Sequence, residues 1–280
     1  MRAGRTADPG VPSDVSGGAR AVTAGFDASV PNMARVYGYL IGGKDHFDAD
    51  RAEAERLLRI YPPLAAMARE SRAFLARAVT WAARQGIGQF IDLGAGLPAA
   101  TNTHEVARAV NPAATVAYVD LDPVVLLHAQ ALLATGDGVT AVAADLTDPA
   151  AVLADPGLRA VIDPARPAAV ILGAVLHFLE AGIARQVTAG YARLIAPGSA
   201  LVISVDRFDD EALAKRLAAE YTAGPFVNHP QADIASFFAG LEMVGPGLTQ
   251  AQTWRPWRPQ PALHHCEGHV LAGVARRRAG

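Results

Sequence analysis

One stretch of the chain, residues 90–123, constrains its fold more than any other. An apolar run at 90–93 leads directly into Gly94-Ala95-Gly96, and after a helical segment a second apolar run at 116–119 ends on Asp120. A buried parallel strand is almost wholly apolar, and a turn whose backbone lies against a ligand needs residues without side chains. The order strand, glycine turn, helix, strand and acidic residue therefore predicts one crossover unit of a parallel sheet.

The same alternation of apolar runs and helical patterns continues to about residue 223, which predicts right-handed crossovers in a parallel sheet. Strands are expected near residues 89–93, 115–120, 139–144, 168–173 and 199–206, and helices near 102–110, 123–134, 148–154, 180–195, 209–223 and 230–241. Two more strands, near 248–253 and 268–276, have no helix between them and should pair antiparallel. The predicted fold class is α/β: a doubly wound, mostly parallel, seven-stranded Rossmann-like sheet with an antiparallel last strand.

The segments before the first strand divide the chain into three parts. Residues 1–29 are rich in Gly, Ala, Ser, Pro and Asp without an apolar period, so they are predicted to be a disordered leader. Residues 30–86 carry three helical patterns and are predicted to form an N-terminal helical cap or lid, in which Asn32 caps the first helix and Gly42-Gly43 ends it. Residues 87–280 then form the domain that contains the sheet.

Charge and cysteine content narrow the classes of partner. The chain has 25 Lys and Arg against 27 Asp and Glu, so it lacks the basic excess of nucleic-acid-binding proteins. Its single cysteine, Cys266, has no internal disulfide partner and suits a reducing cytoplasm. No apolar run reaches the length of a membrane helix, and the amino terminus lacks a signal-peptide pattern. We expect a cytoplasmic protein without nucleic-acid or membrane partners, and the oligomeric state stays open, with a homodimer as one option.

Carboxylates stand at the ends of three successive predicted strands. Asp92 ends the first strand, Asp120 the second and Asp145 the third, so all three should face one crevice at the carboxyl edge of the sheet. Such acceptors suit a cationic amino group, ribose hydroxyls and an adenine amino group, and a nucleoside fits with its ribose on Asp120. The alternative for any single Asp is that it caps the following helix, and we interpret Asp122 before Pro123 in that way.

The glycine turn itself leaves alternatives open. Dinucleotide-binding folds carry a third glycine that lets a helix pack close under a pyrophosphate, and Gly94-Ala95-Gly96-Leu97-Pro98 has none at that spacing. A nicotinamide-dependent oxidoreductase is therefore disfavoured. A tight strand-to-helix turn without a ligand remains the structural alternative.

Histidines offer a candidate base and a weak candidate metal site. His177 follows the fourth predicted strand, so it should point into the crevice, where its ordinary pKa near 6.5 suits proton abstraction. The alternative is a histidine that bonds a loop and shapes the pocket. The run His264-His265-Cys266-Glu267-Gly268-His269 has suitable side chains for zinc, but alternate residues of a strand point to opposite faces and no second cluster completes four ligands. No metal is expected.

Several segments together resemble a known family, the actinobacterial S-adenosyl methyltransferases within the class I methyltransferases, long described as a domain of unknown function. The matching segments are residues 34–45, 91–98, 102–106, 118–123, 176–178 and 254–256, together with Asp145. The resemblance covers about residues 30–278. It departs from the family pattern at Gly38, where the family usually has Asp between Tyr37 and Tyr39.

The resemblance implies a set of cofactor contacts. It places Gly94 and Gly96 against the methionine portion of S-adenosylmethionine, Asp120 at the ribose, and Asp145 with Leu146 at the adenine, and we expect Asp92 and Leu121 to be further cofactor contacts. It also implies that the amino-terminal segment folds over the cofactor through Arg35, Tyr37, Tyr39 and Lys44. Read without the family, that segment is an amphipathic helix followed by a solvated turn.

The function that we expect is transfer of a methyl group from S-adenosylmethionine to the oxygen or nitrogen of a small molecule of natural-product or metabolite type. The reaction is an in-line displacement, so positioning supplies most of the rate, and a base is needed only if the acceptor must lose a proton. The rival functions are a non-catalytic nucleoside-binding module of the same fold and, less favoured, an NAD-dependent oxidoreductase.

Overall fold

The structure is a computed structural model that describes residues 27–134, 136–258 and 268–278. Residues 1–26 of the predicted leader lie outside the described residues. So do residues 264–267, which hold most of the histidine and cysteine run. The three-part division of the chain stays a prediction.

Ten α-helices and eight strands make up the described part of the chain. The helices are α1 Met33–Leu40, α2 Asp48–Ile60, α3 Leu64–Arg84, α4 Thr103–Arg108, α5 Pro123–His128, α6 Pro149–Ala154, α7 Pro156–Arg159, α8 Ala181–Leu194, α9 Glu211–Glu220 and α10 Gln231–Ser236. The strands are β1 Gln89–Leu93, β2 Thr115–Asp120, β3 Val139–Ala143, β4 Ala168–Gly173, β5 Ala200–Phe208, β6 Glu242–Met243, β7 Thr249–Gln250 and β8 Gly268–Arg276. A π-helical turn, Ala129–Leu133, extends α5, and short 3₁₀ turns lie at Leu176–Phe178 and Ala251–Thr253.

The strands form one sheet in the order β3-β2-β1-β4-β5-β8-β6, with β7 also paired to β8. The first five strands are parallel, and β8 runs antiparallel to β5 along its whole length. This confirms the predicted α/β fold with an antiparallel last strand. The sheet has eight strands rather than seven, because the two residues of β6 pair with the end of β8. Strand β7 is shorter than the predicted 248–253, because the chain turns into a 3₁₀ helix at Ala251.

Apolar residues cover both faces of the sheet, as a doubly wound fold requires. In β1, Phe90 packs with α3 on one face, and its neighbour Ile91 packs with α8 on the other. Helix α3 also lies against β4, β5 and β8. Residues of α1 and α2 join the same apolar cluster, and residues at the start of α1 line a cavity at the carboxyl edge of the sheet as its roof.

A buried carboxylate organises that roof. Asp50 of α2 is fully buried, and its oxygens accept hydrogen bonds from the backbone N–H of Asn32 at 2.9 Å, Nε of Arg35 at 2.7 Å and the backbone N–H of Phe47 at 2.8 Å. The side chain of Asn32 caps α1, as predicted, and its Nδ2 donates to Oδ2 of Asp122 at the start of α5. These bonds fix the start of α1 to α2 and to the edge of the sheet.

Candidate active site

A cavity of about 470 Å³ lies where the carboxyl ends of β1 to β4 meet the roof formed by α1. Its floor and sides come from the glycine turn, from Asp120 to Pro123, from Ala144 to Thr147 and from Gly173 to Val175. The roof is contributed by Asn32, Met33, Ala34 and Tyr37, and α3 adds Arg72 and Leu75. The cavity thus lies at the edge of the sheet where open α/β folds bind ligands.

The two glycines of the turn have left-handed backbones, with φ of 63° at Gly94 and 65° at Gly96. A Cβ at Gly94 would lie 2.5 Å from Cγ1 of Val175, which is far inside a normal contact, whereas a Cβ at Gly96 would meet nothing within 4 Å. Gly94 is therefore required by packing as well as by backbone conformation, and Gly96 by conformation alone.

Asp120 is held by the backbone on both of its oxygens. Oδ2 accepts from the N–H of Gly96 at 3.0 Å, and Oδ1 accepts from the N–H of Asp122 at 2.9 Å. Burial raises the pKa of this carboxyl above its ordinary value, while the backbone donors oppose the shift. Each carboxylate oxygen has a second lone pair, so Asp120 can still accept hydrogen bonds from a ligand that enters the cavity. Leu121 beside it is 63% exposed and lines the same cavity.

Asp145 and Leu146, which follow β3, also line the cavity. Oδ1 of Asp145 accepts from the backbone N–H of Thr147 at 2.8 Å and from its hydroxyl at 2.7 Å. The carboxylate therefore also stabilises its own turn. The alternative role of a strand-end Asp, a cap on the following helix, falls here to Asp148. Asp122 takes that role as predicted, since it caps α5 through the N–H of Val124 at 2.7 Å.

Asp92 is not among the residues that line the cavity. It is buried, its Oδ2 accepts from the hydroxyl of Thr103 at 2.6 Å, and burial raises its pKa to about 6. The bond joins the end of β1 to the first turn of α4. We expected Asp92 to face the crevice. Its bond to Thr103 instead joins the two ends of the segment that contains the glycine turn.

The structure brings only one of the four predicted lid residues to the cavity, and Tyr39 instead donates its hydroxyl to Oε1 of Glu55. Tyr37 lines it, and its hydroxyl donates to the carbonyl of Ala68 at 3.0 Å; burial raises the pKa of this hydroxyl to about 12. Arg35 lies in the buried pair with Asp50, and Lys44 is exposed in the turn after α1. Residues two apart on a helix point about 200° apart, so Arg35 and Tyr37 cannot both face the cavity.

His177 faces a different cavity from the one predicted. It is 3% exposed in the turn Leu176–Phe178, and it lines a smaller neighbouring space. Its Nδ1 accepts from the backbone N–H of Asp206 at 3.2 Å, and burial, with a contribution from His229, lowers its pKa to about 3. A neutral imidazole has one acceptor nitrogen, and here that nitrogen is occupied. The alternative role, a histidine that shapes the pocket, fits these contacts better than a general base.

Arg72 is a site residue that the sequence reading missed. It comes from α3, its Nη2 donates to the carbonyl of Thr101 at 2.7 Å, and it is the only Lys or Arg among the described residues that line the cavity. It precedes Leu75 by three positions and so shares a helix face with it. The sequence could have indicated this site residue, because Arg72 is an arginine on the helix face that also carries the apolar Leu75.

The fold and the cavity together define a class. A doubly wound sheet, a two-glycine turn with no pyrophosphate glycine, and an aspartate fixed at the end of the second strand describe a nucleoside-binding protein of the class I methyltransferase type.

The family model described as S-adenosyl methyltransferase matches residues 19–278, and the chain belongs to this family. A crystal structure of a proposed methyltransferase from Thermobifida fusca YX is 40% identical with a TM-score of 0.84, and the match covers 90% of this chain and 97% of that one. A DUF574 family protein from Streptomyces avermitilis MA-4680 is 34% identical with a TM-score of 0.80, over 90% of this chain and 99% of that one. No protein with a curated description matches the chain.

These comparisons confirm the predicted resemblance. The protein is an S-adenosylmethionine-dependent methyltransferase, and S-adenosylmethionine is its cofactor. The two rival functions, a non-catalytic module and an NAD-dependent oxidoreductase, gain no support.

Within residues 27–134, 136–258 and 268–278, no group of three or more His, Cys, Asp or Glu side chains is placed to hold a metal ion. Across the same described ranges, every helix is too short or too polar to span a bilayer.

Proposed function

We propose that this methyltransferase binds S-adenosylmethionine in the 470 Å³ cavity and methylates a small molecule at oxygen or nitrogen. The roof of the cavity is the observation that supports a small molecule as the methyl acceptor. Residues of α1 stand over the strand ends, and Asp50 and Asp122 hold the start of that helix in place. A roofed cavity of this kind suits a molecule that is enclosed, and the chain has no basic excess with which to bind a nucleic acid.

The ribose end of the cofactor is assigned to Asp120. Its two oxygens are fixed by Gly96 and Asp122, so a pair of ribose hydroxyls can bond to it without any rearrangement of the carboxylate. The adenine is assigned to the side formed by Leu121, Asp145 and Leu146, which combines apolar surface with one carboxylate.

The methionine end is assigned to the glycine turn and Arg72. The bare backbone at Gly96 leaves space into which a ligand can pack, and the guanidinium of Arg72 offers a partner for the carboxylate of the amino acid. When bound, the cofactor supplies a methyl group on a positively charged sulfur. We assign the ring of Tyr37, which lines the roof of the cavity, to that charge, from which it would also exclude water.

The assignment is tested by calorimetry with S-adenosylmethionine and S-adenosylhomocysteine. Replacing Asp120 by Asn is expected to weaken binding by about 1.5–3 kcal/mol, the range for losing charge-assisted hydrogen bonds to two hydroxyls. Asp145→Asn is the matched strand-end control and should cost less, because it bonds a single neutral amino group. Equal losses in the two variants would contradict the assignment of the ribose side.

Turnover is tested with S-adenosylmethionine labelled in the methyl group, incubated with a panel of small alcohols, phenols and amines. Labelled product with a small molecule and none with RNA, DNA or protein acceptors is the expected result. Labelling of a polymer instead would refute the small-molecule assignment. A cytoplasmic location and a homodimer stay predictions from the sequence.

A further inference from the structure

A second cavity of about 70 Å³ lies beside the cofactor cavity. The two share the side chains of Met33, Tyr37 and Phe178, so these three form a common wall. The rest of the second cavity is lined mainly by apolar side chains from α1, α2, α3 and α9, together with Phe208 of β5 and Phe226 from the loop after α9. This cavity lies next to the proposed site of the methyl donor, and its lining is apolar except for a few polar groups. Such a cavity is suited to the reacting end of an apolar molecule.

The polar groups of this cavity are few, and most are already bonded. Tyr37 donates its hydroxyl to Ala68, and Nδ1 of His177 accepts from the backbone of Asp206. Tyr221, which also lines the cavity, has a pKa raised mainly by burial, with further contributions from Glu53 and Asp206, so its hydroxyl stays protonated. None of these groups offers a basic lone pair.

Asp206 differs from the other polar groups of the cavity. It lies near the end of β5, it lines the cavity, and its Oδ1 is buried without a hydrogen-bond partner among the described residues. Leaving a buried acceptor unsatisfied costs roughly 1–3 kcal/mol, so such a group is a candidate for a ligand contact. Burial alone raises the pKa of this carboxyl to about 7.

The groups that face Asp206 do not neutralise it. Tyr37 from α1, His177 from the turn after β4 and Tyr221 after α9 are the titratable side chains that line the cavity with it, and none of them is cationic near neutral pH. The neighbouring Arg207 donates to the carbonyl of His229 and pairs with Asp209. Among the described residues that line the cavity, no cationic side chain therefore competes with a ligand for Asp206.

Resting on the function proposed above, we infer that the second cavity receives the methyl acceptor, a short aliphatic alcohol or amine group, and that Asp206 accepts its proton. A cavity that holds benzene measures about 150 Å³, so a space of about 70 Å³ takes a group smaller than a ring. The shared chemistry is one O–H or N–H donor on a compact apolar chain.

An alcohol acceptor gives its proton to Asp206 as it reacts, whereas an amine acceptor, which is an ammonium ion near neutral pH, must give up one proton before it has a lone pair to react. A lone pair on the acceptor oxygen or nitrogen forms the new bond to the methyl carbon, the carbon–sulfur bond breaks, and its electron pair remains on sulfur. The acceptor proton passes to the carboxylate of Asp206 and from there to water. His177 acts as a positioning residue, because its bond to the backbone N–H of Asp206 holds the end of β5 in place.

The test uses the full chain saturated with S-adenosylhomocysteine and titrated with 1-butanol or n-butylamine. We expect wild-type protein to bind at least one of the two probes, and the two arms show whether the donor is a hydroxyl or an amine. Asp206→Asn should weaken that binding tenfold or more and leave the affinity for S-adenosylhomocysteine unchanged, because Asp206 does not line the cofactor cavity. Asp209→Asn, an exposed carboxylate three positions along, is the matched control and should bind like wild type.

A second variant keeps the test decisive if Asp206→Asn folds poorly. Leu64→Phe enlarges a half-buried side chain of the second cavity without touching a polar group, so it should block the probe and spare S-adenosylhomocysteine. With the probe that binds, labelled methyl transfer should fall 100-fold or more in Asp206→Asn, in the range of a lost general base. Binding of neither probe by wild type, or unchanged binding in both variants, would overturn the inference. If the wild-type protein did not bind S-adenosylhomocysteine, that result would instead refute the proposed cofactor site.

Discussion

Gly94 and Gly96 allow packing and backbone strain to be measured separately in one turn. Both have nearly the same positive φ, 63° and 65°, so Ala at either position pays a similar strain of about 1–2 kcal/mol. Only at Gly94 does the added methyl meet an obstacle, Cγ1 of Val175 at 2.5 Å. Overpacking of this kind costs about 1–3 kcal/mol. Gly94→Ala should therefore lose about 2–5 kcal/mol of stability, and Gly96→Ala about 1–2 kcal/mol.

Thermal unfolding of the two variants without cofactor checks these values. For a domain of this size each kcal/mol lowers Tm by roughly 2–4 °C, so Gly94→Ala should melt about 2–12 °C below Gly96→Ala. Adding S-adenosylhomocysteine then separates a second effect. The open space beside Gly96 is where the ligand is proposed to pack, so its Ala variant should show a reduced ligand-induced rise in Tm although it is the more stable of the two. Equal melting of the two variants would refute the packing argument, and a full ligand response in Gly96→Ala would refute the cofactor placement.

Three further predictions concern the roof and the buried carboxylates. Asp50→Ala removes the carboxylate that pairs with the buried guanidinium of Arg35 and should lower the free energy of unfolding by about 3–5 kcal/mol. Asp48 is exposed, so Asp48→Ala should leave that free energy nearly unchanged. Thermal unfolding compares the two variants, and similar Tm values would contradict the role of Asp50. Asp206 has a folded-state pKa of about 7 against an ordinary 3.8, so the folded protein holds a proton that the unfolded chain releases, and stability is lost as pH rises from about 4 to 7. Asp206→Asn should therefore raise Tm at pH 8 relative to wild type more than at pH 5, and a constant difference would contradict the raised pKa. Hydrogen exchange of residues 33–47 should slow on S-adenosylmethionine binding more than that of β8, because α1 roofs the cavity, and equal protection in both states would show a rigid roof.

The sheet could be predicted largely from the sequence because its strands are buried on both faces. Runs such as residues 168–173 are apolar throughout, and burial on both faces demands that pattern. Strand β6 could not be foreseen, since its two exposed residues, Glu242 and Met243, carry no period and pair only because β8 lies beside them. Tertiary context, rather than local pattern, makes that strand.

The site was predictable where backbone conformation and strand ends decide it, and less so where helix phase or hydrogen bonding decides it. Gly94, Gly96 and Asp120 lie where the crossover unit places them. Arg35 and Lys44 do not line the cavity, because a helix that points Tyr37 inward turns Arg35 toward Asp50. Asp206 ends the fifth strand as the sequence predicts it, near residues 199–206, although β5 runs on to Phe208, and the rule used for Asp120 would have found it.

The role of His177 could not be predicted, because it depends on a long-range contact that the sequence does not reveal. A histidine after a strand can serve as base or as support, and the choice rests on which ring nitrogen is occupied. Here the N–H of Asp206, a residue 29 positions along the chain, occupies Nδ1. Long-range hydrogen bonds of this kind are set by the packing of the whole sheet.

Met33, Tyr37 and Phe178 line both cavities and form their common wall. A ligand in one cavity that shifts these side chains would change the surface offered to a ligand in the other, and any such coupling is reciprocal by necessity. We therefore expect acceptors to be found more readily on protein saturated with S-adenosylhomocysteine than on cofactor-free protein. An inhibitor that joins a nucleoside to a short aliphatic arm would have to cross this common wall, and its affinity relative to its two halves would measure the free energy of that crossing.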